Sequence, residues 1–87
     1  MPGVYILQSE KNNSYYIGST CDIARRTKEH NSGSVTATKR LIPWKLKLFH
    51  KCASLTEAKR LEYKIKKLKR RDFLEKMISD GKITMGL

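Results

Sequence analysis

Long apolar runs are missing from this chain, and nothing approaches the ~20 consecutive residues that a membrane-spanning helix needs. No helix-period segment joins a basic face to a broad aromatic one either, so no membrane partner is expected. Cysteine is scarce. Cys21 and Cys52 stand alone, with no CxxC spacing and no nearby histidine pair, and both read as reduced thiols rather than zinc ligands. The opening Met1-Pro2-Gly3 leads straight into a first strand without a targeting pattern, which sets the expectation of a cytoplasmic location. Internal repeats and long linkers are also absent, and 87 residues are too few for a second independent core. One domain over residues 1–87 is therefore expected, with its core at about 3–80 and a short tail at 81–87. Acidic residues are few: eight Asp and Glu against nineteen Lys and Arg leave a net charge of +11. That excess goes beyond what solubility requires and points to a polyanionic partner, nucleic acid above all, a simply basic scaffold being the other reading.

Two short triplets are the most informative residues present. Gly3-Val4-Tyr5 and Tyr16-Ile17-Gly18 are separated by ten residues, with a polar stretch from Ser9 to Ser14 between them. This spacing predicts a hairpin that turns Tyr5 and Tyr16 to one sheet face, with Gly18 leaving open space beside them. Val4, Ile6, Tyr15 and Ile17 then occupy the opposite face, which is apolar enough to be the core side.

Further along, Asp22 predicts the cap of a short helix running to about His30, ended by Asn31 and Gly33. Its stripe reads Ile23, Arg26, His30. Ser32 to Lys39 is rich in small polar residues and reads as a surface loop. After Pro43, the alternation of Trp44, Leu46 and Leu48 with Lys45 and Lys47 predicts a third, half-buried antiparallel strand. Ser54-Leu55-Thr56-Glu57 is a capping box that opens the longest helix, whose expected buried stripe is Leu55, Ala58, Leu61, Ile65 and Leu68. A final helix from about Asp72 to Ser79 is expected to pack Phe73 and Met77 and to stop at Gly81. The expected class is α+β, a three-stranded antiparallel sheet flanked by helices.

Several residues carry two readings each. Glu62 sits among positive charges and pairs naturally with Lys66 at i,i+4, a contact worth about 0.3 to 0.5 kcal/mol; alternatively, one carboxylate with substrate phosphate oxygens suffices to hold Mg²⁺. Arg26 and His30 are either a solvated helix face pairing with Glu29, or a phosphate clamp beside a group that positions water or moves a proton. Tyr5 and Tyr16 taken singly are half-buried strand aromatics. Trp44, Phe49 and Tyr63 are candidate stacking surfaces for unpaired bases, Trp44 being also a natural core anchor.

Taken together, Gly3-Val4-Tyr5, Tyr16-Ile17-Gly18, Asp22-Ile23-Ala24-Arg25-Arg26, His30-Asn31 and Glu62 stand in the order and near the spacing of the GIY-YIG nucleases. The chain resembles small stand-alone members of that family from about Gly3 to Arg71. The resemblance implies metal-dependent hydrolysis of phosphodiester bonds in DNA, with Tyr5 activating a water molecule, Tyr16 and His30 assisting, and Arg26 stabilising the scissile phosphate. Glu62 would hold one divalent ion, Mg²⁺ or Mn²⁺, and Gly18 would be structural. Because a phenol is a poor base at neutral pH, with an ordinary pKa of about 10, nearby positive charge from the metal, His30 or Lys and Arg is expected to favour the phenolate during the reaction.

The basic residues Arg25, Lys39, Arg40, Lys64, Lys66, Lys67, Lys69, Arg70 and Arg71 are the expected nucleic-acid contacts, with DNA the first partner and RNA the second. Val4 replaces the isoleucine of the family's first triplet, no asparagine follows Asn31, and no separate DNA-binding domain fits. Recognition of single-stranded or structured DNA is expected rather than of a base sequence, which suits DNA repair or recombination. A non-catalytic nucleic-acid-binding module on the same fold is the alternative, and a basic ribonucleoprotein component a third.

Overall fold

The computed structural model describes residues 1–68 and 70–83. Strands β1 (Gly3–Ser9) and β2 (Tyr15–Thr20) precede helix α1 (Ile23–Ser32) and a 3-10 turn at Lys39–Leu41. Strand β3 (Trp44–Lys51) and helices α2 (Leu55–Leu68) and α3 (Arg71–Asp80) follow. The three strands form one antiparallel sheet in the order β2-β1-β3, the α+β architecture expected.

Turn chemistry fixes the hairpin. Ser9 Oγ accepts from the N–H groups of Lys11 and Asn12, Asn12 Oδ1 accepts from Ser14 N–H, and Asn13 takes the left-handed backbone that Asn tolerates, with φ 63°. The resulting register sets Tyr5 opposite Gly18 and Leu7 opposite Tyr16, so the two phenols share a face, while Val4, Ile6, Tyr15 and Ile17 share the other.

Both faces are covered, whereas the sequence pattern gives a core side only to the face of Val4, Ile6, Tyr15 and Ile17. Beneath α2 and α3, Val4, Ile6 and Leu48 pack with Ala58, Leu61, Ile65 and Met77. Beneath α1 and the 3-10 turn, Tyr5, Leu7 and Trp44 form a second cluster joined by Tyr16, Ile23, Leu41 and Ile42. Gly18 leaves no open space: a Cβ there would collide with the Tyr5 phenol, which lies across the glycine. Gly3 is filled in the same way by Phe49.

Strand β3 departs from simple alternation. Ile6 pairs with Leu48 but Leu7 pairs with Leu46, so Lys47 is an extra residue where the register slips. Trp44 and Leu46 consequently sit opposite Ser9 and Leu7 on the α1 side, whereas Leu48 sits opposite Ile6 beneath α2. Leu46 is left exposed.

The helix ends follow the expected caps. Asp22 accepts from Arg25 N–H, Gly33 and Gly81 close α1 and α3 in the left-handed region, and Ser54 accepts from Glu57 N–H. Glu57 reaches back one residue further than a standard box, to Ala53 N–H. Of the expected stripes, Leu68 and Phe73 are exposed. Met77 carries the packing of α3 with partly buried Leu74 and Ile78. The core also extends past residue 80, since Ile83 is buried and its N–H donates to His50 Nδ1. The rest of the expected tail, 84–87, lies outside the described residues.

Candidate active site

The Tyr5 hydroxyl is the hub of a buried polar cluster between β1 and α1. His30 Nε2 lies 2.8 Å from it, and Arg26 Nε donates to it at 3.4 Å. Arg26 and His30 point there together because they are one turn apart on a helix whose start is fixed by Asp22. Arg26 Nη1 is held in turn by Glu29 at 3.0 Å. Asn31 locks the end of α1 to the strand edge, accepting from Trp44 N–H at 2.6 Å and donating to the Trp44 carbonyl at 3.0 Å. The Tyr16 ring lies edge-on to His30, 5.0 Å between centroids, and 6.4 Å from Tyr5.

Burial dominates the electrostatics of this cluster. Tyr5 is 1% exposed, and its phenol is pushed above its ordinary pKa chiefly by desolvation, with Arg26 opposing and the charges of Tyr16 and Glu62 adding to the rise. Desolvation outweighs Arg26 in the resting site, so Tyr5 keeps its proton there, and positive charge that favours a phenolate during reaction has to act against that burial. His30 is fully buried and is pushed down to about 4 by desolvation first and by the Arg26 charge second, so it is a neutral imidazole at physiological pH. It cannot position water directly. Its Nε2 meets Tyr5, its Nδ1 meets Thr38 Oγ1 at 2.8 Å, and any role it has passes through the phenol.

Glu62 approaches from the other side of the free edge of β2. Ser19 Oγ donates to Glu62 Oε1 at 2.6 Å, and Lys66 Nζ pairs with Glu62 Oε2 at 2.5 Å, so the i,i+4 pair is present. Lys66 also lies 5.9 Å from the Tyr16 ring centroid, linking the carboxylate to the phenol cluster around that edge. No hydrogen bond joins Glu62 to Tyr5 among the described residues, and the Glu62 charge is the smallest of the influences that raise the Tyr5 pKa. Among those residues no group of three or more His, Cys, Asp or Glu forms a metal cage. The donors at Glu62 are hard oxygens, one carboxylate and one hydroxyl. They fit Mg²⁺ or Mn²⁺ of the kind that keeps its waters and shares phosphate oxygens, once Lys66 yields its place.

The basic residues split into groups instead of forming one track. Lys66, Arg70 and Arg71 line a concavity of about 380 Å³ beside Tyr15 and Tyr16 at the β2 edge. There the Arg71 guanidinium lies 4.5 Å from the Tyr15 ring centroid. Arg70 is engaged by Asp72 through two hydrogen bonds and stacks on Phe73. Lys64 and Lys67 lie on the outer face of α2 with Lys59, Arg60 and Tyr63, the last 66% exposed. Arg25 pairs loosely with Glu29, and Lys39 and Arg40 are exposed on the 3-10 turn. Lys69 lies outside the described residues. Trp44 is no stacking platform: it is buried, and its Nε1–H donates to the Thr38 carbonyl at 2.8 Å.

Sequence reasoning missed Thr38 and Ser19. Thr38 falls in a stretch of small polar residues whose composition signals a surface loop, yet it is fully buried. Ser19 follows the second triplet with nothing in the local pattern to mark it as the partner of Glu62.

A hairpin that carries two phenols under a helix bearing Arg and His, with a carboxylate from the longest helix at the sheet edge, makes up the candidate catalytic face of this α+β domain. The model described as the GIY-YIG catalytic domain matches residues 1–77, and the chain belongs to the GIY-YIG family. It is 38% identical over 71 residues to a UPF0213 protein of Halobacterium salinarum, covering 80% of this chain and 91% of that one. The solution NMR structure of a UPF0213 protein from Bacillus halodurans shares the fold at TM-score 0.56 and 35% identity, covering 93% of this chain and 87% of its own. A stretch of 50 residues is also 50% identical to the structure-specific endonuclease subunit slx1 of Schizosaccharomyces japonicus, covering 52% of this chain. The chain matches only 18% of the length of that relative.

Proposed function

We propose that this protein is a divalent-metal-dependent endonuclease that hydrolyses phosphodiester bonds in DNA. The observation that carries this reading is the Tyr5 hydroxyl held between Arg26 and His30, with Glu62 presented around the adjoining strand edge. Water attacks the phosphorus, a new P–O bond forms, and the P–O bond to the leaving sugar oxygen breaks. The proton lost by water goes to the Tyr5 oxygen, while Tyr5 hands its own proton toward His30 Nε2; a neutral phenol serves as base in this exchange, and no resting phenolate is required. Arg26 offsets negative charge building on the phosphoryl oxygens, and Tyr16 shapes the cluster against His30. Glu62 would hold a divalent ion, Mg²⁺ or Mn²⁺, whose charge would stabilise the departing oxygen before that oxygen takes a proton from solvent.

The concavity lined by Lys66, Arg70 and Arg71 leads away from Tyr16 and suits a sugar-phosphate backbone. The structure-specific endonuclease name of the slx1 relative supports recognition of DNA structure over a base sequence; branched or single-stranded DNA, a role in DNA repair or recombination and a cytoplasmic location complete the proposal. The test is a panel of labelled single-stranded, duplex and branched DNA, with an RNA counterpart, incubated with Mg²⁺ or Mn²⁺. Cleavage abolished by chelator and by Glu62→Ala is the expected result. Cleavage indifferent to Glu62→Ala overturns the mechanism, and tight binding without cleavage of any substrate establishes a non-catalytic binding module instead.

A further inference from the structure

Beyond the four residues around Tyr5, the polar chain continues. Thr38 Oγ1 lies 2.8 Å from His30 Nδ1 and 3.4 Å from the Val35 carbonyl, giving the sequence Arg26, Tyr5, His30, Thr38, Val35, of which the middle three are buried and the ends half-buried. A guanidinium can only donate, so the Tyr5 oxygen accepts from Arg26, and His30 Nε2 is the acceptor the described residues offer the buried Tyr5 O–H. The Thr38 hydroxyl has the Val35 carbonyl at 3.4 Å as an acceptor for its own proton. Thr38 Oγ1 then receives the single N–H of a neutral imidazole at Nδ1, and His30 Nε2 is left bare facing the Tyr5 O–H. Thr38 is itself held rigidly. Its side chain is fully buried, its carbonyl accepts from Trp44 Nε1, and its N–H closes a turn onto Val35 at 3.1 Å.

We propose that Thr38 is the positioning residue that holds His30 in the Nδ1–H tautomer, and so keeps Nε2 open to the Tyr5 proton. Were the tautomer reversed, His30 would donate to Tyr5, the phenol proton would have no acceptor, and the Tyr5 oxygen would be occupied by two donors instead of accepting from water. Buried hydroxyl, imidazole and phenol thus form one polarised unit, in which the outermost member sets the state of the innermost.

The catalytic consequence rests on the nuclease reading, but the tautomer does not, so the two are tested apart. Heteronuclear NMR of ¹⁵N-labelled imidazole nitrogens in the full chain, without substrate, is expected to show His30 protonated at Nδ1 and bare at Nε2. T38V, which keeps the shape but removes the acceptor, should shift the proton to Nε2; T38S should restore it. In the cleavage assay, T38V should lower kcat by up to about 10²-fold, the lower end of general acid–base contributions, with KM unchanged and with rescue by T38S. A wild-type His30 carrying its proton on Nε2 overturns the proposal whether or not T38V folds, as does a T38V tautomer identical to wild type. The expected tautomer, moved by T38V and restored by T38S, supports Thr38 even if no substrate is cut, in which case the nuclease reading alone fails.

Discussion

The two faces of this sheet are built from alternate residues of the same strands, yet they do different work. Under α2 and α3, Val4, Ile6, Leu48, Leu61 and Ile65 form an apolar core without a buried charge. Under α1, Tyr5 and Leu7 share their space with His30, Thr38 and the edge of Tyr16, and the polar atoms satisfy one another. No buried side-chain nitrogen or oxygen among the described residues lacks a partner. The comparison separates two uses of burial. On one face it removes apolar area from water at about 25 cal/mol per Å², and on the other it sets protonation states.

The sharpest way to break the comparison is a change on the polar face that leaves the apolar one alone. Tyr5→Phe should lower the cleavage rate by about 10²–10⁴-fold, and should cost about 1 to 3 kcal/mol of stability because buried His30 Nε2 loses its partner, measured by oligonucleotide cleavage alongside calorimetry. The converse change, Ile6→Ala, should cost about 2 to 5 kcal/mol in denaturant unfolding, with turnover per folded molecule unchanged.

A third prediction uses pH. His30 titrates at about 4 in the folded protein, against about 6.5 unfolded. The unfolded chain therefore binds the proton first as pH falls, so stability is whole above pH 6.5, declines toward pH 4 and levels off below. The loss is on the order of 3 kcal/mol at 1.36 kcal/mol per unit, and unfolding at pH 7 and pH 4 should show His30→Gln losing correspondingly less.

The smallest effect concerns the β2 edge. Arg71→Ala, which removes a guanidinium from the concavity beside Tyr16, should reduce the slope of log affinity against log salt by about 0.7 to 0.9 if it meets one phosphate. Stability should hardly change, because that ring contact is solvated.

Much of the functional face could be read from the chain because its signals are local. A period of two places Tyr5 and Tyr16 together, and Asp22 fixes which turn of α1 holds Arg26 and His30. What escaped depends on distance in sequence or on a break in period. Thr38 joins His30 only because the chain folds inward before the 3-10 turn, and Ser19 meets Glu62 across 43 positions. The extra residue at Lys47 sends Leu46 and Leu48 to different faces, which strict alternation cannot foresee. The filled space at Gly18 inverts a local inference: a missing side chain there marks where another ring lies.

The central claim is that a phenol from one sheet face and a carboxylate reaching around the β2 edge act on a single bond. A double-mutant cycle of Tyr5→Phe and Glu62→Ala, read by single-turnover cleavage of branched DNA, addresses it directly. The double variant is predicted to be about as slow as the slower single variant, as for residues that work as a unit. Rate losses that simply multiply would contradict the account.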